Sequence, residues 1–374
     1  MIRTDDVKWW VLEAKKHPES APTIIEELAK RLAELDAENE RLRDELVRSQ
    51  HRVPAATDTA EVDDLRSKVA TLQTLLNSET TAEPAAIFLS DRLQAARLPL
   101  SLAQQFAYEE RPALNQQAMF SLRFLLLAQP QDELLLFTSH GRGLKLLPSD
   151  MPLLAESDDW PAAEGPELSG DERLTAAVAV SPPPRFWTVV TRRGYARQLL
   201  RIDLDRRVEK GDPLIESSFR RDVPVAAVNG DQGDLLALTR WGKGVRFAHR
   251  AIPGQGTVAL KLEPDDAVVA ALSLPSEMEI LIVTAAGYAA RRDTSQFEAR
   301  VRPGGEGKTL LQAFDVLGAF PYESEAHLLY LTYSGKLVLV PAADIPLQQR
   351  SGKGTQVHTF DRDPAVAVTL VPEL

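Results

Sequence analysis

Leu281-Ile-Val-Thr-Ala-Ala-Gly-Tyr-Ala-Ala-Arg-Arg-Asp293 reads as two short strands folded back on each other: an apolar run ends in Thr284, the chain turns at Gly287, and a second run follows. The same pattern occurs six times after residue 84, as IFLSDRLQAARLP, LLFTSHGRGLKLL, TVVTRRGYARQLL, LALTRWGKGVRFA, LIVTAAGYAARRD and LYLTYSGKLVLVP. The anchor hydroxyls are Ser90, Thr138, Thr191, Thr239, Thr284 and Thr332, spaced by 48, 53, 48, 45 and 48 residues. Three residues after the anchor stands glycine in five copies (Gly141, Gly194, Gly242, Gly287, Gly335) and Leu93 in the first, as a hairpin turn with positive φ requires.

Beyond the turn, offsets +6 and +8 are mostly apolar, while +7 is Arg97, Lys145, Gln198, Arg246, Arg291 or Leu339. Side chains alternate across a strand, so the +7 residues are expected to share one outward face on which four of six are basic. Each unit has an apolar face that it cannot bury alone. The expected fold is therefore mainly β, a six-bladed propeller over residues 84–374, with a linear solenoid as the alternative. Acidic, Pro-rich spans such as Glu156–Glu172 and Ser181–Pro184 are expected to link blades.

The N-terminal part reads differently. After a short segment at 1–20, Thr23-Ile-Ile-Glu26 is a capping box that starts a helix over 21–50. Ile25, Leu32, Asn39 and Leu46 fall at heptad position a, and Leu28, Leu35 and Leu42 at d. An a-position Asn is satisfied by its symmetry mate in a parallel pair, so Asn39 points to a coiled-coil homodimer, as do Arg31 facing Asp36 and Glu38 facing Arg43. An amphipathic helix docked on its own propeller is the competing interpretation. Pro54 marks a linker over 51–60, and a second helix is expected over 61–79 from Val62, Leu65, Val69, Leu72 and Leu76. Trp9 and Trp10 either cap the zipper or anchor a partner.

Composition excludes several function classes. There is no cysteine, and the six histidines lack ligand spacing, so no metal or cofactor is expected. No apolar run suits a membrane span or leader, which points to the cytoplasm. Net charge is −11, so a nucleic-acid surface has to be local. The segment Arg185–Arg250 holds 14 basic and 8 acidic residues, whereas Ala155–Glu172 holds seven acids and no base. Gly304-Gly-Glu-Gly-Lys-Thr309 has the look of a P-loop but carries Arg302 where that motif needs glycine, so a blade loop is expected. Paired carboxylates such as Asp265 and Asp266 have no base beside them in the sequence, and no enzyme is expected.

The T-x-x-G-Y/K-x-x-R/K units, as in Thr284-Ala-Ala-Gly-Tyr-Ala-Ala-Arg291, resemble the C-terminal DNA-wrapping domain of bacterial type IIA topoisomerases, DNA gyrase A and its topoisomerase IV counterpart. The likeness covers most of residues 84–374 and is strongest in the last four copies. It implies a β-pinwheel whose rim binds and bends duplex DNA. Gln348-Gln-Arg-Ser-Gly-Lys-Gly354 resembles the gyrase box at five of seven places, but lies in the last copy where the family has it in the first. None of the six tyrosines follows an arginine, the context of the family's cleaving tyrosine, so strand cleavage is not expected.

The candidate DNA contacts are Arg97, Lys145, Arg192, Arg193, Arg197, Lys243, Arg246, Arg250, Arg291, Arg292, Arg350 and Lys353. Two functions are expected to compete. One is a dimeric, non-catalytic, nucleoid-associated protein that bends or bridges duplex DNA. The other is a dimeric scaffold with a topoisomerase or another protein as partner.

Overall fold

The computed structural model describes residues 30, 83–109, 122–154, 168–180, 182–215, 222–300, 302–349, 351–360 and 362–372. The chain divides into two compact units, Met1–Leu75 and Leu76–Leu374. In the first only Lys30, which is helical, is described. Trp9, Trp10, the zipper positions Ile25, Leu28, Leu32, Leu35, Asn39, Leu42 and Leu46, and the expected second helix lie outside the described residues.

In the second unit each copy forms an antiparallel hairpin, and a third strand pairs with the far side of its first strand. The hairpins are β1 (Ala85–Ser90) with β2 (Ala95–Pro99), β4 (Glu133–Thr138) with β5 (Gly143–Leu146), and β7 (Phe186–Thr191) with β8 (Tyr195–Leu200). They continue as β10 (Asp234–Thr239) with β11 (Lys243–Ala248), β15 (Glu279–Thr284) with β16 (Tyr288–Asp293), and β20 (His327–Thr332) with β21 (Leu337–Pro341). The third strands are β3 (Leu122–Ala128), β6 (Leu174–Val180), β9 (Pro224–Asn229), β14 (Val268–Leu274), β19 (Val316–Pro321) and β23 (Ala365–Val371). In all six pairs of central and third strand the register shifts at the anchor residue, a bulge that bends the strand as it leaves the ladder.

The central strands read as unbroken apolar runs because both their faces are buried, as in Glu279-Ile-Leu-Ile-Val-Thr284. Successive side chains enter opposite gaps between sheets. Ile280 and Ile282 pack with Leu236 and Leu238 of the preceding copy, whereas Leu281 and Val283 pack with Leu328 and Tyr330 of the next. The alternation also closes the array: Ala86 and Phe88 of the first sheet share a core with Leu329, Leu331 and Ala367 of the sixth. Residues from all six third strands line one axial channel of about 520 Å³. The array closes on itself as a ring, not as a linear solenoid.

The fourth strands of three sheets come from the next copy. Thr257–Val258 (β12) pairs with β8, Lys308–Thr309 (β18) with β11, and Thr355–Gln356 (β22) with β16, while Leu260–Lys261 (β13) pairs in parallel with Gly305–Glu306 (β17). In copy two the same handover shrinks to a single antiparallel bridge, Pro213 to Arg142, whereas Leu153 bridges Arg97 in parallel, as Arg300 does Phe247 and Leu347 does Arg291. After the hairpins of copies one and three come helices α1 (Leu100–Tyr108) and α2 (Arg201–Lys210), where the other copies have one 3-10 turn. Gly211, with φ 69°, ends α2 by donating its N–H to Arg207 and Val208 carbonyls.

Candidate nucleic-acid interface

The turns that present charge are built by the anchor hydroxyls. Thr191, Thr239, Thr284 and Thr332 each accept the backbone N–H four residues on through Oγ1, at 3.0, 3.2, 3.1 and 3.2 Å. A carboxylate just before the third strand holds the turn from the other side. Asp222, Asp266, Asp315 and Asp363 accept the N–H of Arg193, Trp241, Ala286 and Ser334 at 2.9, 3.2, 2.9 and 2.7 Å. Asp266, which in sequence is half of an ordinary acidic pair, is therefore a turn clasp. In copy two Glu172 does this work and is fully buried; burial opposes its charge, but hydrogen bonds from Arg142, Thr138 and the Ser169 amide prevail and lower its pKa to about 2.

The glycines of these turns have φ of 78°, 82°, 72°, 85° and 87°, and Leu93 adopts the same left-handed geometry at 65°. In copies three to five a second constraint applies. The handed-over chain docks on the glycine carbonyl, as when Leu310 and Leu311 donate to Gly242 at 2.8 and 3.2 Å, and a Cβ there would strike the Leu311 carbonyl.

The outward basic face expected at +7 is corrected by the structure. Five residues before the anchor, copies two, four and five carry an acid, and the hairpin brings it to the +7 base. Lys145 meets Glu133 at 2.9 Å and Asp205 at 2.8 Å, Arg246 meets Asp234 at 2.7 Å, and Arg291 meets Glu279 at 2.5 Å while lying over the Tyr322 ring. Arg97 is buried, 8% exposed, with Nε donating to the Met151 carbonyl at 3.0 Å, and desolvation lowers its pKa. Arg292 is likewise buried and donates to the Gln348 carbonyl at 2.8 Å. These side chains hold the sheets together, and their charge is spent or screened there.

The remaining candidates separate into different regions. Arg193 is exposed at the turn end, where Lys243 pairs with Glu263. Arg192 does not face the rim: it lines the axial channel. Arg250 is exposed on a 3-10 turn at the opposite end of its hairpin. Arg197 reaches outward to the Gly254 and Leu214 carbonyls at 3.1 and 3.3 Å, so no carboxylate in these bonds neutralises it. Lys353 is exposed, and Arg350 lies outside the described residues.

One recurrent element is not evident from the repeat spacing. The P-loop look-alike and the box-like stretch occupy the same place in successive copies. Each follows a segment lying beside the outer hairpin strand, Arg300 bridging to Phe247 and Leu347 to Arg291, and each leads into a handed-over strand. Pro253–Gly256 occupies the corresponding place before β12 in copy four. Three Gly-rich loops thus follow one another along the perimeter. Beside them are Arg197, Arg250, Arg300, Arg302, Lys308 and Lys353, with Arg300 bonded to the Glu306 carbonyl and the last four exposed where described. The signal in the sequence was the repeated glycine before Thr257, Lys308 and Thr355, obscured by intervals of differing length.

Comparison with known proteins agrees with this geometry. The family model of the DNA gyrase C-terminal domain, a β-propeller, matches residues 132–150, 233–275, 279–311 and 327–368. The DNA gyrase A protein of Staphylococcus epidermidis is 25% identical over 296 residues, 74% of this chain and 33% of that protein. Its counterpart in Synechocystis sp. is 23% identical over 346 residues, 78% of this chain and 39% of that protein. The chain therefore spans about a third of the length of these curated relatives. Among solved structures, the DNA gyrase A C-terminal domain superposes with a TM-score of 0.63 at 18% identity, covering 77% of this chain and all of that one. The C-terminal domain of DNA topoisomerase IV gives 0.53 at 19% identity, covering 78% of this chain and 94% of that one. At such identities the structural likeness is one of fold.

Proposed function

Because its C-terminal part resembles the DNA gyrase C-terminal domain in sequence and shares that domain's β-pinwheel fold, we propose that this protein binds duplex DNA on the rim of a six-bladed pinwheel and does not cut it. The observation that carries this reading is the run of three Gly-rich loops on the perimeter of copies four to six, with basic side chains beside them that lack a carboxylate partner in the described hydrogen bonds. Phosphates accept from Arg, Lys and backbone amides alike, and glycine lets the strand approach closely. Contact is proposed along the arc from Arg197 to Lys353, with Arg250, Arg300, Arg302 and Lys308 between them. The +7 residues support this arc from within.

The heptads from Ile25 to Leu46 support a parallel homodimer, in which two pinwheels bridge or bend one duplex and act in the nucleoid, with a topoisomerase as a natural partner. No helix among the described residues is long and apolar enough to cross a membrane. Binding to linear duplex across a salt series tests the reading. It is expected to be sequence-tolerant and to weaken steeply, each phosphate contact adding about −0.9 to the log–log slope. Sedimentation of the full chain is expected to give the dimer mass.

The paired +7 positions favour a second reading, a dimeric scaffold whose pinwheel engages a protein. Absence of any shift of duplex DNA at about 50 mM salt would replace the first reading with this one.

A further inference from the structure

Four arginines converge at one mouth of the axial channel: Arg123 and Arg173 beside the starts of β3 and β6, Arg192 after β7, and Arg240 after β10. Asp91 is the only carboxylate in the lining among the described residues, 3.8 Å from the Arg173 guanidinium. Two of the other guanidiniums bond to main-chain oxygen: Arg123 to the Leu122 carbonyl at 2.7 Å, and Arg240 to the Asp265 carbonyl at 2.6 Å. Arg173 also uses the Glu172 carbonyl, at 3.0 Å. Arg240 Nε is buried with no partner among the described residues, and Arg192 is exposed. Carbonyls orient Arg123 and Arg240 without cancelling their charge, while Asp91 offsets part of that of Arg173. Below the mouth the walls are apolar, with Leu125, Val225, Val269, Leu317 and Val366, and such walls focus the field of charges at an opening.

We propose that this mouth is a binding site for a small, multiply charged phosphate anion, distinct from the duplex site on the rim. A guanidinium offers five N–H donors in a planar fork suited to phosphate oxygens, so groups already bonded to a carbonyl keep donors to spare. The four side chains lie on sheets one to four, while sheets five and six contribute apolar residues, so the charge forms an arc on one side of the opening. An arc suits a short chain of phosphates better than a single ion. A channel of about 520 Å³ cannot admit a duplex.

The test is thermal melting and calorimetry of the full chain at low salt with roughly 1 mM sodium tripolyphosphate, and separately ATP, against sodium sulfate at equal ionic strength. Tripolyphosphate is expected to raise the melting temperature above the sulfate control. A similar effect from ATP assigns recognition to the phosphate chain, and a larger one adds the apolar wall as a seat for the base. Arg192→Ala, which removes an exposed side chain, is expected to weaken binding about tenfold. Arg240→Lys is a second variant that retains charge but loses the fork. Arg197→Ala and Lys353→Ala on the rim should leave tripolyphosphate affinity unchanged even where they weaken duplex binding. No rise beyond sulfate, or an undiminished rise in the double variant Arg192→Ala/Arg240→Lys, overturns the proposal.

Discussion

Gly242 shows how much one residue carries in this repeat. Its φ of 72° costs an ordinary side chain about 1–2 kcal/mol, and the docked Leu311 carbonyl blocks a Cβ outright. Gly242→Ala is expected to destabilise the pinwheel by at least about 2 kcal/mol, read as a lower urea midpoint at unchanged slope. Tyr330 is the reverse case, for its hydroxyl is buried without a partner among the described residues while its ring packs 5.3 Å from Phe360. Tyr330→Phe keeps the packing and removes the orphan group, so its melting temperature should equal or exceed that of the parent.

His249, 1% exposed between Thr188 Oγ1 at 2.9 Å and Ser273 Oγ at 3.2 Å, gives a pH dependence. Desolvation lowers its pKa from 6.5 to about 4, which outweighs the attraction of Asp234 and Asp231. Between these values the unfolded chain binds more protons than the folded one. Stability is therefore expected to fall as pH drops from about 6.5 to about 4, by about 3 kcal/mol from this group. Denaturation midpoints across that range check it, and His249→Gln should flatten the slope by one proton.

At the scale of elements, the hairpin and the handed-over strand divide the work. In the hairpin an acid five residues before the anchor neutralises the base seven after it, as with Asp234 and Arg246. Ala substitution at Lys145 or Arg246 should thus lower stability and leave the salt slope of DNA binding unchanged. The Gly-rich loops are expected to behave oppositely. Arg302→Ala and Lys353→Ala should each reduce that slope by about 1 with little change in melting temperature. The hairpins were legible in the sequence because hydroxyl, glycine and apolar runs recur at fixed offsets. The handed-over strands were not: Lys308–Thr309 is two residues long, too short for a period, and its partner is a strand more than sixty residues earlier. The outward reading of +7 failed because alternation tells which side chains share a face, but not what else that face meets. Arg192 lines the axial channel for a related reason, since a turn residue can point to the axis as readily as to the rim.

Across the whole molecule, closure rests on the core that Ala86 and Phe88 share with Leu329, Leu331 and Ala367. Burying each such large apolar side chain contributes about 1.5–3 kcal/mol, so the seam is comparable to the margin of a typical domain. Phe88→Ala is expected to cost about 3–5 kcal/mol although it lies in the first copy, and hydrogen exchange should show the sixth sheet loosened with it.

The handover also sets a timetable for a chain emerging from the ribosome. The outer edge of sheet four is closed by Lys308 and Thr309, which leave the exit tunnel only after the hairpin of copy five has appeared. With anchors about 48 residues apart and synthesis at about 5–20 residues per second, a finished hairpin waits several seconds for its last strand. The growing protein thus carries an open edge forward through copies three to five, and the first and sixth sheets can meet only once the sixth hairpin and the third strand that pairs with it have emerged.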